Sequence, residues 1–272
     1  MGAARAFFDL PYELKDQARA PYPGYPYGYL GPGAEALARS KGVESPPDLK
    51  ESFNGGPLSA PEGLTDEEAL NFCYAPTIWP RDPQGFRGDW EAYYSAVTDL
   101  AARIMRVFAV ALDLDEAYFE PFIANPISAL RALNYPELTA PPPEGQLRAG
   151  AHTDYGSLTI LLPQPGSRGL EILTPEGAWR EVPPSTAPSS SISAISWPAG
   201  QTTAGSPRCT ASSTSPDQGG LDRRQSLAFF HQPDWFAAIE TLPSCLAEGE
   251  TPKYEPVLSG PYLMGKFRKT VV

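Results

Sequence analysis

Gly150-Ala151-His152-Thr153-Asp154-Tyr155-Gly156-Ser157-Leu158-Thr159-Ile160-Leu161 is the stretch on which the fold turns. Its second half is a short apolar run with β-branched residues, bounded by Gly156 and a Pro/Gly turn at 163–169, and it predicts a strand over 158–162. Its first half sets an imidazole and a carboxylate two positions apart. In extended chain, residues i and i+2 project to one face, so His152 and Asp154 can converge on one ion. That pair is two thirds of the facial triad that holds non-haem Fe(II) and keeps positions open for other ligands. The plain alternative is a turn in which Asp154 accepts from neighbouring backbone amides.

On either side the same short-strand pattern continues, over 128–135, 170–173 and 227–230, with a second turn at 175–177. The first 87 residues are different. Runs such as Pro21-Tyr22-Pro23-Gly24-Tyr25-Pro26 cannot sustain helix, because proline removes donors and restricts its predecessor. Short helical patches are expected at 12–20, 34–40 and 66–72. One long helix is expected over 90–112, with Tyr93, Val97, Leu100, Ile104, Phe108 and Ala111 as its apolar face. Helices followed by runs of short strands argue for a sandwich or barrel decorated with helices.

Composition narrows the partners. Lys+Arg 21 against Asp+Glu 32 leaves a net charge of −11, the wrong sign for phosphate backbones, so nucleic acid is excluded. The best apolar run, 107–112, is far too short to span a bilayer, and no basic-then-apolar leader opens the sequence. Cys73, Cys209 and Cys245 are scattered and odd in number, which suggests neither a disulfide framework nor a cysteine-rich zinc site. These features predict a soluble, cytoplasmic protein.

A second chemical motif is Arg224-Gln225-Ser226-Leu227-Ala228-Phe229-Phe230. On a strand, Arg224 and Ser226 share a face with Ala228 and Phe230. A guanidinium fork beside a hydroxyl suits a carboxylate gripped deep in a barrel; the alternative is a surface arginine at a strand start. The order of motifs is more specific than either alone. Asn134-Tyr135-Pro136, the 150–161 stretch, Gly169-Leu170-Glu171-Ile172-Leu173, Trp179-Arg180-Glu181-Val182-Pro183-Pro184 and the Arg224 strand follow one another, with Phe7-Phe8-Asp9-Leu10-Pro11 and Asp48-Leu49-Lys50-Glu51-Ser52-Phe53 upstream. This series resembles the isopenicillin N synthase-like branch of the Fe(II)/2-oxoglutarate-dependent oxygenases.

The resemblance implies a mainly β fold with helices: a double-stranded β-helix (jelly-roll) core over 121–272, flanked by an N-terminal helical region over 1–120 and one long packing helix. It implies Fe(II), 2-oxoglutarate and O2 as cofactor and co-substrates, acting on a small-molecule substrate. By matching motifs, His152 and Asp154 are the iron ligands, Arg224 and Ser226 hold the distal carboxylate of 2-oxoglutarate, and Tyr135 lines the same pocket. The aromatic residues of 22–29 and Phe230 are candidate pocket walls.

Two departures stand out. The family begins with a further strand and helix ahead of the Phe7-Phe8 motif, which suggests a late start. It also needs a second histidine between the Trp179 segment and the Arg224 strand. Only His152 and His231 exist, and His231, next to Phe230, faces away from Arg224 and Ser226 by strand alternation. Cys209 sits nearer the required place, without partner spacing. Over 185–216, 26 of 32 residues are Ser, Thr, Ala, Pro or Gly, a composition that buries too little apolar area to offset chain entropy. Joining each codon's third base to the first two of the next lets 193–214 spell GDLMARWTNDRWVSTLHRVVN, whose histidine falls across the Cys209/Thr210 boundary. Two compensating frameshifts, near 184/185 and near 214–217, are therefore expected. Three readings stand at this point: a 2-oxoglutarate-dependent oxygenase, an iron oxidase that does not use 2-oxoglutarate, and a non-catalytic jelly-roll relic.

Overall fold

The computed structural model describes residues 1–37, 42, 46–140, 142–143, 146–174, 176–183, 191–193, 210–212, 222–246 and 249–269, with backbone alone at 191–193 and 210–212. In chain order the elements are α1 (Gly2–Phe8), α2 (Tyr12–Asp16), β1 (Gly28–Leu30), β2 (Glu51–Gly55), α3 (Glu67–Asn71) and α4 (Phe86–Ala111). Then follow β3 (Ala129–Tyr135), β4 (Ala149–His152), β5 (Leu158–Pro163), β6 (Leu170–Leu173), β7 (Trp179–Glu181), β8 (Ser191–Ser193), β9 (Thr210–Ser212) and β10 (Arg224–His231). β11 (Ala238–Ile239), β12 (Val257–Leu258) and α5 (Ser259–Phe267) close the order.

Two antiparallel sheets build the core. The larger has the order β1-β2-β3-β10-β5-β8 and the smaller β4-β9-β6-β7. Leu133, Tyr135 and Ala228 of the larger sheet pack with Ala149 of the smaller, so the sheets face each other across a shared interior. The alternation of β3 and β10 sets what each face carries. Their register pairs Arg224 with Tyr135, Ser226 with Leu133 and Ala228 with Arg131, and these six side chains line the interior. Leu130, Ala132, Leu227 and Phe229 point outward and join Phe7, Phe53, Phe86, Trp90 and Tyr94 in the main apolar cluster. Each large side chain buried there is worth about 1.5–3 kcal/mol.

α4 covers that outer face. It begins at Phe86, four residues before the expected start, because Phe86 is buried against Phe7, Phe53 and Trp90, which offsets the ~1 kcal/mol cost of Gly88 in the first turn. Its buried residues are Phe86, Trp90, Tyr94, Val97, Ala101, Met105 and Ala109. The expected face is therefore rotated by about one residue. Leu100 is exposed, and Tyr93, Ile104 and Phe108 are only half-buried. The apolar stripe is wider than one face, and the close approach allowed by Ala101 and Ala109 decides which edge meets the sheet.

Of the shorter helices, the one expected over 66–72 forms as α3, that over 12–20 is cut short, and that over 34–40 does not form at 34–36, with 38–40 outside the described residues. Asp66 caps α3, its Oδ1 accepting from Ala69 N–H at 2.8 Å. α2 ends at Asp16 because the Ala18 carbonyl accepts from Tyr29 N–H at 2.7 Å, binding this segment to β1 instead. Residues 34–36 are not helical; Glu35 is drawn into a buried ion cluster described below. On the outer face a polar network ties the N-terminal helices to the sheet. Lys15 Nζ lies 2.8 Å from Glu51 Oε2, Glu51 Oε1 accepts from Asn134 Nδ2 at 2.8 Å, and Asn134 Oδ1 accepts from Arg223 Nε at 3.0 Å and Gln225 Nε2 at 2.9 Å. Among the described residues no helix is long and apolar enough to cross a membrane.

Candidate metal centre and co-substrate pocket

A cavity of about 200 Å³ opens between the sheets, and it gathers Tyr135, His152, Asp154, Arg224 and Ser226 on its wall. All five residues singled out by the sequence thus share one space. His152 ends β4, and its Nδ1 lies 2.7 Å from the Gly150 carbonyl. A carbonyl only accepts, so Nδ1 carries a proton and donates; in the neutral ring that tautomer leaves the Nε2 lone pair for a metal. Nε2 is 3.5 Å from Asp154 Oδ1. Two donors held about 2.1 Å from one ion lie roughly 3.0–3.5 Å apart, so this spacing suits a shared metal. Burial raises the Asp154 carboxyl pKa, but His152, the Thr159 hydroxyl and the Arg131 charge outweigh it and hold the pKa below the usual carboxylate range.

The segment after Asp154 is fixed by Gly156. Its φ of +115° lies where side chains are strained, and a Cβ there would stand 2.5 Å from the Gln232 carboxamide. Gln232 in turn donates from Nε2 to the Tyr155 carbonyl at 2.6 Å and from its backbone N–H to Ser128 Oγ at 3.1 Å. The loop carrying Asp154 is thereby clamped to the end of β10.

At the other end of the cavity Arg224 is 3 % exposed, its guanidinium carbon 4.1 Å from the centre of the Tyr135 ring. Burial lowers the Arg224 pKa, opposed by Tyr135. Behind it Arg148 is fully buried, donating to the Asp222 and Pro136 carbonyls at 2.6 and 2.8 Å. Burial and then the like charge of Arg224 depress Arg148 to about 10. Arg224 lines the cavity, and Arg148, outside the lining with Nη1 and Nη2 held by carbonyls, adds positive charge behind it, so this end of the barrel suits an anion. Arg148 was missed in the sequence, where a lone arginine before a strand carries no signal.

His231 points away from the cavity, as strand alternation required. It is 1 % exposed, its Nδ1 2.6 Å from Ser157 Oγ, and burial lowers its pKa to about 4. It is a structural histidine. Of the aromatic candidates, Tyr27 and Phe230 line the cavity, whereas Tyr22 is exposed and Tyr25 packs with Ala75 and Ile78. Also missed was the cluster beneath β4. Lys50 Nζ lies 2.7 Å from Asp48 and 3.2 Å from Glu35, and Glu35 is 3.0 Å from Arg131 Nη1. Asp48 Oδ1 accepts from Gly150 N–H at 3.0 Å, so Gly150 is anchored by Asp48 at its nitrogen and orients His152 through its oxygen.

The donor set is incomplete. Among the described residues no group of three His, Cys, Asp or Glu could hold a metal. Cys209 and most of 185–216 lie outside the described residues. Where the chain is described again, Thr210 of β9 pairs with His152 of β4, which sets the strand expected to carry the second histidine directly beside the first.

The 2OG-Fe(II) oxygenase superfamily model matches residues 126–233. The chain is 30% identical to the 2-oxoglutarate-Fe(II) type oxidoreductase hxnY of Emericella nidulans over 278 residues, covering 99% of this chain and 76% of the relative. It is 34% identical over 174 residues to the 2-oxoglutarate-dependent dioxygenase caaD of Aspergillus niger, covering 63% of this chain and 51%, about half, of that relative. A full-length Neurospora crassa protein, solved in complex with alpha-KG, superposes with a TM-score of 0.81 at 28% identity, covering 98% of this chain and 80% of that one. A further structure of the same Neurospora protein also holds thymine. The fold is thus the double-stranded β-helix of these enzymes, with N-terminal helices and the long α4 packed on it. The chain belongs to the 2OG-Fe(II) oxygenase superfamily. Fe(II) and 2-oxoglutarate are the cofactor and co-substrate of that family.

Proposed function

We propose that this chain is an Fe(II)- and 2-oxoglutarate-dependent dioxygenase of a small organic substrate. In this reading His152 and Asp154 are two of the protein donors to iron, and Arg224, Ser226 and Tyr135 seat the distal carboxylate of 2-oxoglutarate. The observation that carries it is that one cavity holds the His152–Asp154 pair, with Nε2 3.5 Å from the carboxylate, and the buried Arg224. Bound iron with 2-oxoglutarate supplies the oxidation of a C–H bond. The chain's own part is to hold the His152 tautomer through Gly150, keep Asp154 ionised, neutralise the co-substrate's carboxylate at Arg224 and exclude water.

A second reading, a jelly-roll relic that does not turn over, is supported by the absence of a third donor among the described residues. We attribute that absence to the suspected frameshifted segment, 185–216, within the oxygenase core of 121–272. The test is Fe(II) titration and O2-dependent succinate release, run on this chain beside a version carrying GDLMARWTNDRWVSTLHRVVN at 193–214. Tight iron and succinate release in the restored chain alone supports the oxygenase ancestry and the lost ligand. Failure of both chains refutes the dioxygenase reading, and O2 consumption without succinate favours an oxidase that does not use 2-oxoglutarate. The coding DNA settles the frameshift directly.

A further inference from the structure

Asn54 carries a feature the dioxygenase reading does not use. It lies in β2 opposite Arg131, in the cross-strand row Asn54–Arg131–Ala228–Leu161, and all four side chains line the cavity. Asn54 is 3 % exposed, yet neither Oδ1 nor Nδ2 has a hydrogen-bond partner among the described residues. Buried carboxamides are almost always satisfied, so one left open on both atoms and aimed into a cavity points to a ligand. Among the described residues Ser52 Oγ, Trp90 Nε1 and Arg148 Nε are also buried without a partner, but their residues do not line this cavity.

The chemistry of the neighbours selects the ligand. Arg131 gives Nη1 to Glu35 at 3.0 Å, inside a cluster in which Glu35 and Asp48 balance Lys50 and Arg131. Its charge is already compensated, so this end of the cavity offers donors without calling for an anion. Asn54 offers one donor and one acceptor side by side. A carboxylate would set an oxygen against Oδ1; an alcohol or ketone would satisfy only one of the two atoms. A cis-amide edge, with N–H beside C=O, satisfies both at once. Arg131 and Tyr135 are four residues apart on β3, about 13 Å, which separates this end from the Arg224 seat.

We propose that Asn54, with Arg131 beside it, is a specificity-determining residue that recognises a neutral cis-amide edge on the substrate: a ring lactam, imide or ureide. This rests on the cavity being the dioxygenase pocket. The test measures binding of uracil and of 1,3-dimethyluracil, whose N–H groups are blocked, by calorimetry and saturation-transfer NMR on the purified full chain, with 2-oxoglutarate binding followed on the same samples. Wild type is expected to bind uracil at least tenfold more tightly than 1,3-dimethyluracil. Asn54→Leu is expected to weaken uracil about tenfold or more, leave 2-oxoglutarate affinity unchanged and raise the melting temperature, since two unpaired groups vanish. A purely structural Asn54 would instead lower it. Equal affinity for the two uracils, a variant that binds uracil like wild type, or a chain that binds 2-oxoglutarate but not uracil overturns the proposal while sparing the dioxygenase reading. Binding of neither ligand removes both. Asn54→Ala provides the same comparison should leucine disturb β2, and the methylation contrast in wild type needs no variant.

Discussion

Asp48→Asn tests the physical link between the buried ion cluster and the candidate metal centre. Asp48 Oδ2 accepts from Lys50 Nζ at 2.7 Å and from Leu37 N–H at 3.2 Å, while Oδ1 holds Gly150 N–H at 3.0 Å. Both Asp48 and Lys50 are about 3 % exposed, so solvent does little to screen the change. Asparagine preserves shape and can keep the Gly150 bond, but it turns an NH2 towards two donors and leaves Lys50 with Glu35 as its ion partner. Breaking one side of a buried pair costs about 3–5 kcal/mol. With ~2–4 °C lost per kcal/mol in a chain of this size, melting should fall by at least about 6 °C. The assay is urea unfolding followed by tryptophan fluorescence, beside thermal melting. Asp48→Asn/Lys50→Met removes both charges and should recover more than half of the loss, the signature of coupling in a double-mutant cycle. A single variant within about 1 kcal/mol of wild type, or a double variant no better than the single, would refute the claim that this cluster is held by charge pairing.

Three further outcomes follow from the same geometry. Arg224→Gln should weaken 2-oxoglutarate binding on the order of 100-fold, since charged hydrogen bonds contribute ~1.5–3 kcal/mol each; unchanged affinity by calorimetry would remove Arg224 from the anion seat. Gly156→Ala should destabilise by at least ~1–3 kcal/mol, from a strained φ and a contact with Gln232, and should weaken Fe(II) binding by displacing the Asp154 loop. His231, lowered to about 4 by burial, binds its proton more weakly folded than unfolded, so its contribution to stability is intact above about pH 6.5 and is lost as pH falls towards 4. Proton NMR should find it neutral at pH 5, and His231→Gln should flatten the stability profile between pH 6.5 and 4.

The sequence was most legible where chemistry and periodicity coincide. His152 and Asp154 could be paired on paper because strand geometry alone puts i and i+2 on one face, and the same rule placed Arg224 with Ser226 and turned His231 outward. It was least legible where partners are distant in the chain. Asp48, Lys50, Glu35 and Arg131 span almost a hundred positions, and no local pattern says that their charges meet. Asn54 reads as an ordinary polar residue of a short strand until its register with Arg131 is known. The face of α4 was misjudged by one residue because a wide apolar stripe fits a sheet at more than one rotation.

By itself, then, the sequence determined the strand-rich class, the shared face of His152 and Asp154 and that of Arg224 and Ser226, since each depends on spacing within a few residues, where backbone geometry is nearly fixed. Only the tertiary structure decided the hold of the Gly150 carbonyl on His152 Nδ1, the second buried arginine, the ion cluster under β4 and the unpaired amide facing the cavity. Those depend on which strands become neighbours and on how much water is excluded between them, quantities set by the packing of the whole chain.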